Sequence, residues 1–134
     1  MRLPPRAPLK ADFSQPQLAE VLATLPDADL DGLDFGVIGF DAEGTVRRYN
    51  TFESRAAGLA PERVLGRHLF TSVAPCMNNF MVAQRFEDAA AGGHDLDATV
   101  DYVLTLRMKP VKVRLRLLAP AGAPMRHVLV DRRA

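Results

Sequence analysis

Two groups of strand patterns flank a run of short helical patterns, and this order constrains the fold of the 134-residue chain more than any other feature. Residues 35–40 form a short apolar segment, a turn follows, and residues 45–49 return as the second strand of a predicted β-hairpin. Three later strands are predicted at residues 99–108, 111–118 and 125–130. Because the helices fall together between the strand groups, we expect an α+β fold, with one five-stranded antiparallel sheet and helices on one side.

The first 29 residues are predicted to lie outside this main domain. Prolines at positions 4, 5 and 8 favour an extended arm. Ser14 and Gln17 have capping-box spacing, apolar residues follow at helical spacing, and Pro26 ends the predicted helix. The acidic residues 27–34 predict a loop. We therefore expect residues 1–29 to form an N-terminal arm and helical cap, and residues 30–134 to form the main domain.

Capping and stop signals place two helices inside the main domain. Asn50 and Glu53 have capping-box spacing at the start of a short helix, which Gly58 closes. Residues 80–91 predict the longest helix, and the glycine pair at positions 92 and 93 marks its end.

Composition and charge exclude several classes of protein. Hydrophobic residues make up 48% of the chain and charged residues 25%, which is ordinary for a soluble domain and excludes a disordered chain or a coiled coil. The net charge is +1, and the basic C-terminal region lacks interleaved aromatic residues, so we expect no nucleic-acid partner. No apolar run is long enough to span a membrane, and we expect a cytoplasmic protein without a membrane partner.

Cys76 is the only cysteine, which excludes an internal disulfide and a cysteine-cluster metal site. It is either a buried structural thiol or a nucleophile that carries an acyl group. His68, His94 and His127 lack the spacing of metal ligands, so we expect no metal.

Tyr49 and Glu53 are four residues apart across the start of a helix, a spacing that can point both side chains to one side. Glu53 is either a cap on the helix N-terminus or an inward-pointing acid. In the second case, both side chains would donate hydrogen bonds to one buried acceptor, and desolvation would keep Glu53 protonated. The spacing alone leaves both interpretations open.

Several motifs follow one another in order along residues 30–132: Leu30-Asp31-Gly32-Leu33-Asp34-Phe35-Gly36, Tyr49-Asn50, Val73-Ala74-Pro75-Cys76, Asn79-Phe80-Met81-Val82-Ala83-Gln84-Arg85-Phe86, Asp101-Tyr102 and Met108-Lys109-Pro110. Together they resemble the photoactive yellow protein family of bacterial photoreceptors, which have a PAS fold. A cysteine after Val-Ala-Pro, together with a Tyr and a Glu four residues apart, is specific to that family among PAS domains.

The resemblance implies a covalent chromophore, p-coumaric acid, linked as a thioester to Cys76. It implies that Tyr49 and Glu53 hydrogen-bond the phenolate end, and that blue light isomerises the chromophore from trans to cis. Apolar residues are expected to form the pocket and its lid: Ile38, Ala57, Leu59, Leu69, Val73, Ala74, Pro75, Leu104, Leu106 and Met108.

The chain departs from the family pattern at positions that bear on colour and photocycle rate. Ala57 stands where a threonine often supports the tyrosine, and Leu59 stands where an arginine often covers the pocket. Leu104 and Leu106 replace residues that are often aromatic. The attachment chemistry does not depend on these positions.

Light is expected to move the phenolate away from Tyr49 and Glu53, and Glu53 is the nearest acid that can donate a proton. The resulting unpaired buried carboxylate would cost several kcal/mol, so we expect the helix over residues 16–25 to detach and create a signalling state. We expect a monomer or weak dimer that acts on an unknown downstream signalling protein.

Two other functions remain open at this point. One is a PAS-like module that binds a non-covalent ligand or a protein partner without photochemistry. The other is an enzyme with Cys76 as its nucleophile, which we do not expect because only His68 lies near Cys76 in the sequence.

Overall fold

A computed structural model describes residues 11–105 and 109–133, and these residues form an α+β fold as expected. Five antiparallel strands form one sheet in the order β2-β1-β5-β4-β3. The strands are β1 (Gly36–Phe40), β2 (Val46–Tyr49), β3 (Leu96–Leu104), β4 (Val111–Ala119) and β5 (Arg126–Asp131). The helices are α1 (Leu18–Thr24), α2 (Asp27–Leu30), α3 (Thr51–Ala57) and α4 (Ala83–Gly92), with short helical turns at Pro61–Arg63, Leu69–Val73 and Pro75–Met77.

The sheet separates two apolar cores, because successive residues of a strand point to opposite faces. Ile38 lies in the core formed with α4 and the short turns, while its neighbour Val37 lies in the core formed with the N-terminal segment. Leu117 and Leu118 divide in the same way. Burial on both faces explains why β1 and residues 128–130 of β5 are continuous apolar runs rather than alternating ones.

Arg48 on β2 holds the end of α1 against the sheet. Its guanidinium donates to the carbonyl oxygens of Leu22 at 2.8 Å and Leu25 at 2.6 Å, and to the Asp27 carboxylate at 2.7 Å. These carbonyls belong to the last turn of α1 and its C-terminal cap, where the Leu22 carbonyl otherwise accepts only a 3.3 Å bond from the Leu25 amide. Arg48 therefore adds hydrogen bonds at the helix end and attaches that end to the sheet.

Arg116 on β4 makes a second attachment of the same kind. It donates to the carbonyl oxygens of Phe13 at 2.9 Å and Gln15 at 2.7 Å, and it forms a two-bond ion pair with Asp97 on β3. The neighbouring Arg114 lies over the Phe13 ring, 5.4 Å from its centroid. The N-terminal segment is thus held by charged groups as well as by apolar contact.

Several predicted boundaries are wrong. Ser14 and Gln17 do not cap α1, which starts only at Leu18, after Gln17 with a φ of 56°. Residues 27–30 form the one-turn helix α2 rather than a loop. The helix predicted from residue 80 begins at Ala83, because the Asn79 side chain accepts from the amides of residues 81 and 82 and forms a turn there. The strand predicted from residue 99 starts earlier, at Leu96, and is described to Leu104; residues 106–108 of the prediction lie outside the described residues.

Candidate functional site

Asn50 fixes the junction at which β2 ends and α3 begins. Its side-chain oxygen accepts from the Glu53 amide at 3.1 Å, as the capping pattern predicts, and from the Val37 amide at 2.9 Å. Its side-chain nitrogen donates to the carbonyls of Leu30 at 2.9 Å and Phe35 at 3.0 Å. Every hydrogen-bonding position of this buried side chain is therefore used, and Tyr49 and Glu53 are placed on either side of a rigid joint.

Glu53 does not complete the capping box with its side chain. Its carboxylate receives a two-bond fork from Arg132, with Nη1 at 2.7 Å from Oε1 and Nη2 at 2.9 Å from Oε2. The Glu53 side chain is 2% exposed and that of Arg132 is 17% exposed. Burial raises the pKa of Glu53, and the hydrogen bonds and charge of Arg132 oppose that rise.

Gly36 on β1 leaves the space that the Glu53 carboxylate fills. A Cβ at this position would collide with Oε1 of Glu53. Gly36 is paired with Val130 on β5, two residues before Arg132. The pairing of β1 with β5 therefore brings Arg132 and Gly36 together beside the Glu53 carboxylate.

The Tyr49 hydroxyl is buried and has no hydrogen-bond partner among the described residues. Tyr49 is the last residue of β2 and pairs with Ile38 on β1. Burial and the nearby Glu53 carboxylate raise the pKa of Tyr49, and Arg132 opposes them. The hydroxyl is thus a neutral donor aimed at a site without an acceptor from the described chain.

Cys76 lies half-buried with a free thiol in the turn Pro75–Met77. The Tyr102 hydroxyl donates to the Cys76 carbonyl, and the Asn79 side-chain nitrogen lies 3.2 Å from that carbonyl and 2.6 Å from the Tyr102 oxygen. These two polar side chains hold the backbone of the turn. They were missed as functional candidates, since their contacts depend on how β3 lies beside the turn.

One apolar core joins the surroundings of Cys76 and Tyr49. Of the pocket candidates, Ile38, Leu69, Ala74 and Leu104 are buried in it, while Leu59 and Val73 are half-buried and pack against it together with Tyr49 and Cys76. Ala57 is buried and Pro75 is exposed. Leu106 and Met108 lie outside the described residues.

The three histidines lie in different environments. His68 accepts through Nδ1 from the amides of Phe70 and Thr71, both at 3.2 Å, and so caps a short turn. His127 is buried beside Arg48, where desolvation and the arginine charge lower its pKa to about 4. His94 is exposed. Within residues 11–105 and 109–133, no three His, Cys, Asp or Glu side chains are grouped in a way that could hold a metal ion.

Comparison with known proteins shows which family and fold this chain shares. A sequence-family model described as the PAS fold matches residues 30–132. The photoactive yellow protein of Rhodothalassium salexigens is 35% identical over 105 residues, which cover 78% of this chain and 83% of that protein. This chain belongs to the photoactive yellow protein family. The photoactive yellow protein of Halochromatium salexigens is 36% identical over the same shares of the two chains. Both the predicted family and its PAS fold are confirmed.

Solved structures support the same assignment to the photoactive yellow protein family. The photoactive yellow protein domain of the sensor histidine kinase Ppr from Rhodospirillum centenum matches with a TM-score of 0.76 and 38% identity, covering 84% of this chain and 97% of that domain. A PAS domain of the RpfR quorum-sensing receptor from Cronobacter turicensis, solved with BDSF, has a TM-score of 0.58 and 15% identity, and it shares the fold alone. In the part of the chain that the structure describes, no helix has the length and apolar character needed to cross a membrane.

Proposed function

We propose that the chain is a blue-light photoreceptor that binds p-coumaric acid as a thioester on Cys76. One observation carries the proposal: the buried Tyr49 hydroxyl, beside the buried Glu53, finds no acceptor among the described residues. A buried donor without a partner costs about 1–3 kcal/mol. A phenolate oxygen is the acceptor that would remove this cost, and it would be held by charge-assisted hydrogen bonds.

Cys76 would gain the chromophore by acyl transfer. Its thiol gives a proton to solvent, Sγ forms a bond to the carbonyl carbon of an activated p-coumaroyl group, and the activating group leaves with the electrons of the broken bond. When bound, the chromophore supplies visible absorption and a double bond that isomerises in light. Tyr102 and Asn79 hold the Cys76 carbonyl and so support the position of the attachment turn.

The polar end of the site would be formed by Tyr49 and Glu53, each donating to the phenolate oxygen. The other candidates are proposed to keep water away and to cover the site: Ile38, Ala57, Leu59, Leu69, Val73, Ala74, Pro75, Leu104, Leu106 and Met108. Ala57 offers no hydroxyl to Tyr49, so the hydrogen-bond network would be shorter than in family members with threonine there.

In the light state, Glu53 is proposed to lose its proton and become a buried carboxylate. Arg132 forms a two-bond ion pair with the Glu53 carboxylate in this structure, so the new charge would be unpaired only if the light-induced rearrangement also breaks that pair. An unpaired charge at a site this buried costs several kcal/mol, which is comparable to the roughly 5–15 kcal/mol that stabilises a typical domain. The N-terminal cap is a peripheral element that could respond, because α1 is one short helix, held by apolar contact through Leu18 and Leu22 and by the hydrogen bonds of Arg48 at its end. We propose residues 1–29 as this cap and residues 30–134 as the chromophore-binding domain, consistent with a family match that begins at residue 30.

We propose no catalytic role for Cys76. The nitrogen Nδ1 of His68 is occupied by two backbone amides, and His127 lies beside Arg48, whose other partners belong to the N-terminal segment. Among the described residues, no histidine forms a hydrogen bond with the Cys76 thiol of the kind that activates a catalytic nucleophile. The proposed protein is cytoplasmic, is a monomer or weak dimer, and acts on a downstream signalling protein.

Purified chain mixed with activated p-coumaric acid is expected to gain one p-coumaroyl mass and a visible band that bleaches in blue light. Cys76→Ala is expected to show neither change, because it removes the only thiol. Absorption spectra and intact mass on the same samples measure both. A wild-type protein that stays colourless and unmodified would contradict the proposal and favour a PAS-like module for a non-covalent ligand or protein partner.

Glu53→Gln in the loaded protein is expected to shift the visible band, because it replaces the acid that faces the phenolate. It should also remove the light-induced loss of a carboxylic-acid band from infrared difference spectra. Glu62→Gln, at an exposed position, is the matched control and should change neither spectrum. A carboxylic-acid loss that survives in Glu53→Gln would exclude Glu53 as the proton donor.

A further inference from the structure

Arg132 has no role in the function proposed above, although it makes the closest polar contacts of Glu53. We propose that Arg132 is a positioning residue of the phenolate site, which holds Glu53 as a carboxylate until a second acid enters the site. This inference rests on the proposed function for the identity of that second acid, a phenol. The inference itself concerns the protonation of Glu53 in the chromophore-free chain.

The fork fixes both the orientation and the hydrogen-bonding capacity of Glu53. Arg132 uses both carboxylate oxygens, and the Gly36 backbone lies against Oε1 on another side. An ionised carboxylate accepts hydrogen bonds but has no proton to donate. Glu53 in this arrangement therefore cannot serve as the donor that a phenolate needs.

The charges of Glu53, Arg132 and Tyr49 determine how the protonation of Glu53 must change when a phenol enters the site. Glu53 and Arg132 together are neutral, and Tyr49 is a neutral phenol whose pKa is raised. A phenolate added beside them would bring a second negative charge next to a side chain that is 2% exposed. Buried like charges cannot both ionise at low cost. Glu53 would therefore take up the proton that the incoming phenol loses, leaving one negative charge opposite the one guanidinium.

Arg132 thus controls where the proton lies. Its two hydrogen bonds to the carboxylate favour an ionised Glu53. If these bonds weaken or break, the protonated form of Glu53, which can donate a hydrogen bond, becomes more favourable. The titratable and charged groups that face Glu53 are Tyr49 at the end of β2 and Arg132 after the end of β5. With these partners, the protonation of Glu53 in the chromophore-free chain should depend strongly on residue 132 and weakly on other surface charges.

The test is a titration of the chromophore-free full chain, labelled with carbon-13 at the glutamate side-chain carboxyl. The sequence has five glutamates, and Glu53→Gln identifies the signal of Glu53 by its loss. The variants are Arg132→Gln, Arg132→Lys and Arg133→Gln. Arg133→Gln is the matched control, because it also removes one positive charge, at the adjacent position. Arg133 contacts Asp131 and Asp34 rather than Glu53.

Arg132→Gln is expected to raise the midpoint of the Glu53 titration by about 1–3 pH units, the usual effect of an adjacent opposite charge. Arg133→Gln should leave the midpoint in place. Equal midpoints in these two variants would overturn the proposal. Arg132→Lys keeps the charge and loses the fork, so it should change the carboxyl chemical shift of ionised Glu53 and raise the midpoint less. If Arg132→Gln does not fold, a lysine variant with wild-type shift and midpoint would overturn the proposal instead.

The titration uses no chromophore, so its outcome is independent of whether Cys76 can be loaded. A chain that stays colourless would defeat the proposed photoreceptor while the Glu53 midpoints remain interpretable. Conversely, if the protein becomes coloured but the Glu53 midpoint does not depend on residue 132, the photoreceptor function would stand and this role for Arg132 would not.

Discussion

Asn50→Ala is expected to lower the free energy of unfolding by about 3–5 kcal/mol, because it leaves several buried backbone groups without partners at about 1–3 kcal/mol each. The groups affected belong to three separate segments. They are the amides of Val37 and Glu53 and the carbonyls of Leu30 and Phe35, of which the Leu30 carbonyl keeps the Leu33 amide as a partner. Urea unfolding at neutral pH measures the loss, and Asn78→Ala at an exposed position should stay within about 0.5 kcal/mol of wild type.

Asn50→Asp separates the helix cap from the rest of this effect. Aspartate is as good an N-cap as asparagine, so a role confined to capping α3 predicts little loss. In this structure the side-chain nitrogen donates to two carbonyl oxygens, and a carboxylate oxygen in its place would face them as an acceptor. Aspartate is therefore expected to be about as destabilising as alanine. A stable Asn50→Asp protein would show that capping α3 is the main contribution.

The sequence predicts this junction well because its signals are local. The Asn50 cap, the glycine at position 58 with a φ of 71°, and the alternation of the hairpin all act over a few residues. The order of strand and helix patterns was likewise sufficient for the fold class, since antiparallel sheets with inserted helices leave few arrangements.

The polar contacts of the site were not predictable in the same way. Arg132 reaches Glu53 across 79 positions, and Arg116 reaches Phe13 across 103. Such pairs depend on strand order and register, which the alternation of side chains does not specify. The basic C-terminal region includes β4 and β5, which lie inside the sheet, and Arg116 within it is buried. The only indication of these contacts in the sequence was an excess of arginine near the C-terminal end, and this excess did not identify the partner of any one arginine.

The stability of the chain is expected to fall by about 3 kcal/mol between pH 6.5 and pH 4 through His127 alone. Desolvation is the largest cause of its lowered pKa, followed by the positive charge of Arg48, while Asp27 acts weakly in the opposite direction. The folded pKa of about 4 lies below the usual 6.5, so the unfolded chain binds the proton first as pH falls. Stability is therefore fully present above pH 6.5 and is lost progressively toward pH 4, at about 1.4 kcal/mol per unit of pKa difference.

The difference between wild type and His127→Gln isolates this effect from the carboxylates that titrate in the same range. Urea unfolding at pH 7, 6, 5 and 4 should show a smaller loss in the variant, and His94→Gln, at an exposed histidine, should follow wild type. Identical pH profiles for wild type and His127→Gln would contradict the assignment.

The same protonation bears on the N-terminal cap. A proton on His127 places a second positive charge next to the Arg48 guanidinium, 3.1 Å from Nε2, while that guanidinium also holds the carbonyls of Leu22 and Leu25. The repulsion acts on the group that attaches the end of α1 to the sheet. Hydrogen exchange of α1 amides should therefore accelerate toward pH 4 relative to amides of β5, after correction for the intrinsic pH dependence of exchange. In His127→Gln this relative acceleration should be lost, because the variant has no proton to add beside Arg48.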